Sequence, residues 1–314
     1  MYRFFFLICL FLGLVMAMLC SSPSPREKSS PIPSLSTSFP RQVQDALGQT
    51  FIIATPPQRI VSHTLATDEI LSAMCPPQRI AALSPLAFDK RYSNLTDTGH
   101  FTLAHQVEEI LHLHPDLIFV ANYTRAETVE LLQTTGAKVF RFAHFQDVAA
   151  IKNNIRIVGE VIGEEHRAEH LVMQMEHDLK TIQAHLPHLR SPLRVMSYTV
   201  DHYTAGAHTL FDDMVKYVGA INVATEQGIE QYVQISDEHI LLWRPDFIIT
   251  PAHSDEFEQV RRQLLSRPAI VTSLAGKGER IILIDNRHLL AVSHYVVLGI
   301  KALAENLYQQ GKAS

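Results

Sequence analysis

The chain has 314 residues, 46% hydrophobic and 19% charged, enough apolar material for one large or two smaller folded domains. Its formal net charge of −5 comes without a basic stripe or tail, which argues against nucleic acid as a partner. Of the three Cys, Cys9 and Cys20 fall in the N-terminal apolar segment, so the folded part has only Cys75 and no intrachain disulfide framework.

Arg3 precedes an uncharged apolar run, Phe4 to Leu19, of the kind that directs export. The run ends in Cys20-Ser21-Ser22 and resembles a bacterial lipoprotein signal, in which that Cys is lipid-modified, although Leu19 and Ala17 depart from its usual residues. Residues 1–20 are therefore expected to be a signal segment with lipidation at Cys20. The folded part is expected in the periplasm or at the cell surface, held to the membrane by that lipid. Residues 21–50, dominated by Ser and Pro as far as residue 40, read as a tether.

The folded part is expected from residue 51. Arg59 to Ser62 reads as a strand, and Thr67 can cap a helix from Asp68 to Met74. Arg79 to Leu83 is the next strand, followed by a loop and a helix over 106–113. Leu117 to Ala121 is an all-apolar strand, as expected where both sheet faces are covered. A helix (126–134) stopped by Gly136 and a strand (138–142) complete a lobe at residues 51–144. Residues 145–190 read as helical, with a break marked by Gly159 and Gly163. Ala168, Leu171, Val172, Met175, Leu179, Ile182 and Leu186 form one helical stripe there. A helix of about 23 residues is roughly 35 Å long, enough to bridge two lobes. Residues 191–314 repeat the strand–helix alternation and end in a long helix over 292–308. The fold class is α/β, two βαβ-type lobes with mainly parallel sheets joined by a single long helix.

A duplication supports the two-lobe reading. Residues 108–121 (EEILHLHPDLIFVA) and 238–251 (EHILLWRPDFIITP) align at an offset of 130, with Glu108/Glu238, Ile110/Ile240, Leu111/Leu241, Pro115/Pro245, Asp116/Asp246 and Ile118/Ile248 identical. Each copy is a short helix, a Pro-Asp turn and a strand. Two such lobes enclose a natural groove between them.

The order Arg-Ile-Val-Ser, Ala-Thr-Asp-Glu-Ile-Leu, helix-Pro-Asp-strand, one long helix, and a second helix-Pro-Asp-strand resembles the substrate-binding proteins of bacterial ABC importers for iron–siderophores, haem and cobalamin. The resemblance covers about residues 58–308. It implies a monomer with the ligand between two lobes joined by one rigid helix, a permease and its ATPase as partners, and no catalysis. It implies no intrinsic cofactor, the ligand being a metal chelate such as a ferric siderophore, haem or cobalamin. It also implies that one Glu on each lobe docks onto permease arginines, and the corresponding residues are Glu108 and Glu238.

In open α/β sheets ligands bind beyond the carboxyl ends of the strands. That rule selects His63, Lys90, Arg91, Tyr92, Asn122, Tyr123, Tyr203, His253 and Arg287 as candidate ligand contacts. Aromatic rings offer flat apolar faces, cations suit anionic chelates, and Tyr or His can complete an iron shell. No compact zinc motif, phosphate loop or nucleophile elbow is present, so no metal site is assigned. Two other readings stay open: capture of a bare Zn²⁺ or Mn²⁺ ion, and an exported metal-dependent hydrolase.

Overall fold

A computed structural model describes residues 38–96 and 107–310. The signal segment and Cys20 lie outside the described residues, as does the tether up to residue 37. The folded part begins earlier than residue 51. Strands β1 (Arg41–Gln44) and β2 (Thr50–Ile53) form an antiparallel hairpin that packs Phe51 on Phe140. The expected tether over 21–50 is therefore too long. The hairpin strands have only four residues each, too few for alternation to stand out against the polar stretch before them.

Lobe 1 is a parallel sheet in the order β4-β3-β5-β6, built from β3 (Ile60–Ser62), β4 (Ile80–Ala82), β5 (Leu117–Ala121) and β6 (Lys138–Phe142). Lobe 2 contains β7 (Arg194–Ser197), β9 (Ile221–Asn222), β11 (Phe247–Ala252) and β12 (Ile281–Asp285), also parallel. Its order, β12-β11-β7-β9, is that of lobe 1: second strand, first, third, fourth. A short antiparallel ribbon of β8 (Tyr203–Ala205) and β10 (Tyr232–Gln234) is added to lobe 2. The sequence reading missed the ribbon because three-residue strands carry no readable period.

The strands alternate between two apolar layers. Leu117 and Phe119 enter a core shared by both lobes, whereas Ile118 and Val120 enter the outer layer of lobe 1. In lobe 2, Phe247 and Ile249 join the shared core, while Ile248 packs with Trp243 and Ile270.

Helices α4 (Val148–Ile162) and α5 (Glu165–Ala184) fill the shared core between the sheets. Their break is at Gly163, which caps α4 with φ +79°. Gly159 is no break but a close-packing site inside the helix, where a Cβ would lie 2.4 Å from that of Ala168. The 20 residues of α5 span about 30 Å. Its buried stripe of Ala168, Val172, Met175 and Leu179 packs on helix α1 (Leu65–Met74) of lobe 1 and on the final helix (Val296–Gln310) of lobe 2. Helix α1 starts before the expected Thr67, because Thr64 Oγ1 accepts from Thr67 N–H and acts as the cap. Among the described residues, no helix is long and apolar enough to cross a membrane.

The duplicated segments share one mechanical device. Asp116 accepts from the backbone N–H of Gln58 (2.6 Å) and Arg59 (3.1 Å), while Asp246 accepts from that of Arg194 (2.9 Å). The same arginines reach back to the end of the preceding helix: Arg59 Nε donates to Leu113 O (2.7 Å) and Arg194 Nη2 to Trp243 O (3.1 Å). Each helix is stopped by a left-handed residue, His114 (φ +46°) or Arg244 (φ +50°). The Pro-Asp turn thus staples a helix end to the start of the central strand, at Gln58 and Arg59 just before β3 and at Arg194, the first residue of β7. Asp116→Ala and Asp246→Ala should each cost about 1–3 kcal/mol, because charge-assisted bonds to backbone amides are lost. Urea denaturation of the purified variants measures this.

Candidate functional site: the groove between the lobes

The central strands of each lobe diverge at a topological switch point, β3/β5 in lobe 1 and β7/β11 in lobe 2, and the loops beyond them face a shared cleft. A cavity of about 300 Å³ lies there. Lobe 1 contributes Tyr123 and Phe145, and lobe 2 contributes Ser197, His208, Tyr232 and Leu290 among others. Tyr123 is 70% exposed and Tyr232 60%, so two large rings stand open in the groove. Among the described residues, no Asp, Glu, Lys or Arg lines it. A polar side chamber of about 380 Å³ adjoins it, sharing Gln146, His208, Thr209 and Gln231. A larger groove of about 520 Å³ lies between α5 and the final helix, but no strand-end loop lines it.

The sequence-selected residues divide into three groups. Tyr123 lines the cavity. Tyr203 sits on the ribbon facing the same side as the cavity-lining Ala205, two residues further out. His63 and Asn122 stand at the strand ends, where their N–H groups donate to Phe119 O and Phe142 O. His63 is half-buried, and burial lowers its pKa.

Arg91, His253 and Arg287 belong to the rim, together with the neighbouring Lys90 and Tyr92. Arg91 makes a bidentate pair with Asp89 (3.0 and 2.6 Å), and Arg287 makes the same pair with Asp285 (2.9 and 2.9 Å). Asp89 is held below its usual carboxylate range mainly by the hydrogen bonds from Arg91, with a smaller contribution from His253 of the other lobe. Both rim arginines are thus committed to an Asp two residues earlier, and they do not present free cations to the cleft. His208, Gln231 and Tyr232 were missed by the sequence reading. Their shared signal is a loop-like stretch on either side of the unrecognised ribbon. His208 also has a left-handed backbone (φ +61°), which cannot be read from sequence. Among the described residues, no group of three or more His, Cys, Asp and Glu is placed to hold a metal ion.

Glu108 and Glu238 are exposed at the start of equivalent helices, Val107–His112 and Glu238–Trp243. Glu69, also at a helix start, is 1% exposed and therefore no surface handle. Its neighbour Asp68 is fully buried, which pushes its pKa up to about 7, while hydrogen bonds including those from Ser84 oppose the shift. Burial pushes His294 down to about 4. Cys75 is buried and its thiol is pushed up to about 11, leaving it an inert core residue.

Twin parallel sheets, a helical strut and an open aromatic groove define a two-lobed binding protein. Residues 60–288 match the periplasmic binding protein family, and the chain belongs to it. It is similar to the ABC transporter substrate-binding lipoprotein YvrC of Bacillus subtilis (strain 168), with 26% identity over 309 residues, 95% of each chain. A cobalamin-binding protein of Halobacterium salinarum (strain ATCC 29341 / DSM 671 / R1) is 21% identical over 257 residues, 80% of this chain and 70% of the relative. The haem-binding protein RhuT of Roseiflexus sp. RS-1, in apo form, shares the fold with a TM-score of 0.68 and 22% identity, over 81% of this chain and 98% of that one.

The two shifted groups drive stability in opposite directions. Asp68 has its folded pKa raised above its unfolded value, so its contribution is present below about pH 4 and is lost as pH rises through about 7. His294 has its pKa lowered, so its contribution is present above about pH 6.5 and is lost as pH falls through about 4. The two nearly cancel across that window. Asp68→Asn should make the protein lose stability on acidification from pH 6.5 to 4, and His294→Gln should make it gain. Each changes the slope by up to about 1.4 kcal/mol per pH unit, measured by denaturant midpoints across pH.

Proposed function

We propose that this protein is the extracytoplasmic substrate-binding component of an ABC importer, and that its cleft takes a macrocyclic metal chelate, haem or a corrinoid. The observation that carries the ligand class is the composition of the groove. Tyr123 and Tyr232 present ring faces, with Phe145 and Leu290 beside them, and among the described residues no carboxylate, ammonium or guanidinium lines the cavity, the charged Asp147, Asp212, Asp213 and Lys216 belonging to the adjoining chamber. Flat apolar surface suits a macrocycle. A triply anionic ferric siderophore would need free cations, and the rim arginines are already neutralised by Asp89 and Asp285. Binding of haem and of cobalamin by the relatives named above supports this reading. The expected contacts are Tyr123, Tyr203, Tyr232 and His208. His63 and Asn122 stand at the strand ends, and Lys90, Arg91, Tyr92, His253 and Arg287 form the rim.

Calorimetric titration with haem, cyanocobalamin and a ferric tris-catecholate tests the ligand class. One of the two macrocycles should bind tightly, and Tyr123→Ala and Tyr232→Ala should each weaken it roughly tenfold. Preference for the tris-catecholate would overturn the assignment.

Delivery follows from the outward helices. Glu108 and Glu238 offer equivalent carboxylates to permease guanidinium groups, which pair bidentately with carboxylates. Lipid on Cys20 would hold the chain at the membrane, and Cys20→Ala would then move it to the soluble fraction. In whole cells, Glu108→Lys and Glu238→Lys should lower uptake several-fold while the purified variants keep parental affinity. A fall in affinity instead would place these residues in the ligand site and refute the docking role.

A further inference from the structure

Glu69 is the fifth residue of α1, just past the first turn that holds Asp68. Here it is almost completely buried. An unpaired buried carboxylate is costly, so its partners decide what it does. Oε1 accepts from the backbone N–H of Asn94 (2.9 Å) and from Asn94 Nδ2 (3.1 Å), both in lobe 1. Oε2 accepts from Ser293 Oγ, which is in lobe 2. The Asn94 amide crosses the same boundary and donates to Arg287 O at 2.7 Å. One carboxylate therefore gathers donors from both lobes, and its lobe-1 partner makes a second crossing.

The tied segments are parts of the cleft. Asn94 follows Arg91 and Tyr92 in the loop after β4. The start of that loop is fixed by the adjacent carboxylate, since Ser84 donates to Asp68 from its N–H (3.1 Å) and from its Oγ. On the other lobe, the segment between Arg287 and Ser293 includes the cavity-lining Leu289, Leu290 and Val292. Two consecutive carboxylates of α1 thus hold this loop at two points, Ser84 and Asn94, and of the two Glu69 also holds lobe 2.

We propose that Glu69 is a positioning residue that sets the width of the ligand cleft by locking the rim loop of lobe 1 to the Arg287–Ser293 segment of lobe 2. The lock uses both carboxylate oxygens, Oε1 for the two Asn94 donors and Oε2 for the Ser293 hydroxyl, so an apolar side chain of similar size at residue 69 removes every link made through this side chain. The consequence for binding rests on the proposed function; the consequence for the lobe boundary does not.

Hydrogen–deuterium exchange of the full chain without ligand tests the lock. Ser293→Ala removes the direct bond from Glu69 to lobe 2, together with the local bond from Tyr295 N–H to Ser293 Oγ (3.3 Å), and leaves the Asn94–Arg287 crossing in place. Exchange at the amides of Leu290 and Ala291 should rise about tenfold, the loss expected for one buried charge-assisted bond, while the Asn94 amide stays protected. Glu69→Leu, which has no acceptor, should release all three amides. Ser84→Ala loosens the same loop within lobe 1 and should leave Leu290 and Ala291 unchanged. With cyanocobalamin and haem as probes, Ser293→Ala should raise the dissociation rate of whichever binds by about fivefold, with little change in association rate. Parental exchange at Leu290 and Ala291 in both Ser293→Ala and Glu69→Leu would overturn the proposal. If neither probe binds the parent protein, the ligand assignment fails, and the exchange data still decide the lock.

Discussion

The structure depends on one apolar layer. Helices α4 and α5 place Ile151, Ile155, Val158, Val172, Met175 and Leu179 in a core that also takes Leu117 and Phe119 from one lobe and Phe247 and Ile282 from the other. Because the lobes share this layer, neither can rotate freely without exposing buried side chains, at about 25 cal/mol for each Å² uncovered. The cleft is consequently a largely pre-formed groove, and its chemistry is that of the loops held at its edges.

Duplication supplies those loops in pairs. Both sheets have the same strand order, both use a Pro-Asp turn whose Asp grips the start of the central strand, and each lobe carries an Asp-x-Arg bidentate pair, Asp89–Arg91 in the loop after β4 and Asp285–Arg287 at the end of β12. The last of these matters most for ligand choice. Arginines are abundant near the groove in sequence, yet the two at its rim are satisfied internally. Among the described residues, the cavity offers ring surface, the exposed His208 side chain and amide groups, while Asp147, Asp212, Asp213 and Lys216 stand in the adjoining chamber. The neutral lining and the shared apolar layer together favour recognition by shape and stacking over charge pairing.

Several features were readable because they are periodic or repeated. The stripe from Ala168 to Leu179, the all-apolar strands at 117 and 247, and the 130-residue offset each recur within a short window. They gave the two lobes, the parallel sheets and the strut. Features built from short or solitary pieces were not readable. The hairpin at 41–53 and the ribbon pairing Tyr203–Ala205 with Tyr232–Gln234 have strands of three or four residues. Arg91 and Arg287 looked like available cations because a bidentate pair two residues apart depends on loop conformation.

The sequence by itself determined which residues form elements and which faces are apolar, since burial periodicity is a local property of helix and strand geometry. It also determined that there are two similar halves and that Glu108 and Glu238 are counterparts. Only the tertiary structure decided how Glu69 is used and which side chains share the groove. Those outcomes depend on distance between residues as much as 224 positions apart, such as Glu69 and Ser293, and no local pattern encodes such a distance. A carboxylate near the start of a helix has the same sequence signature whether it meets water, a partner or the opposite lobe.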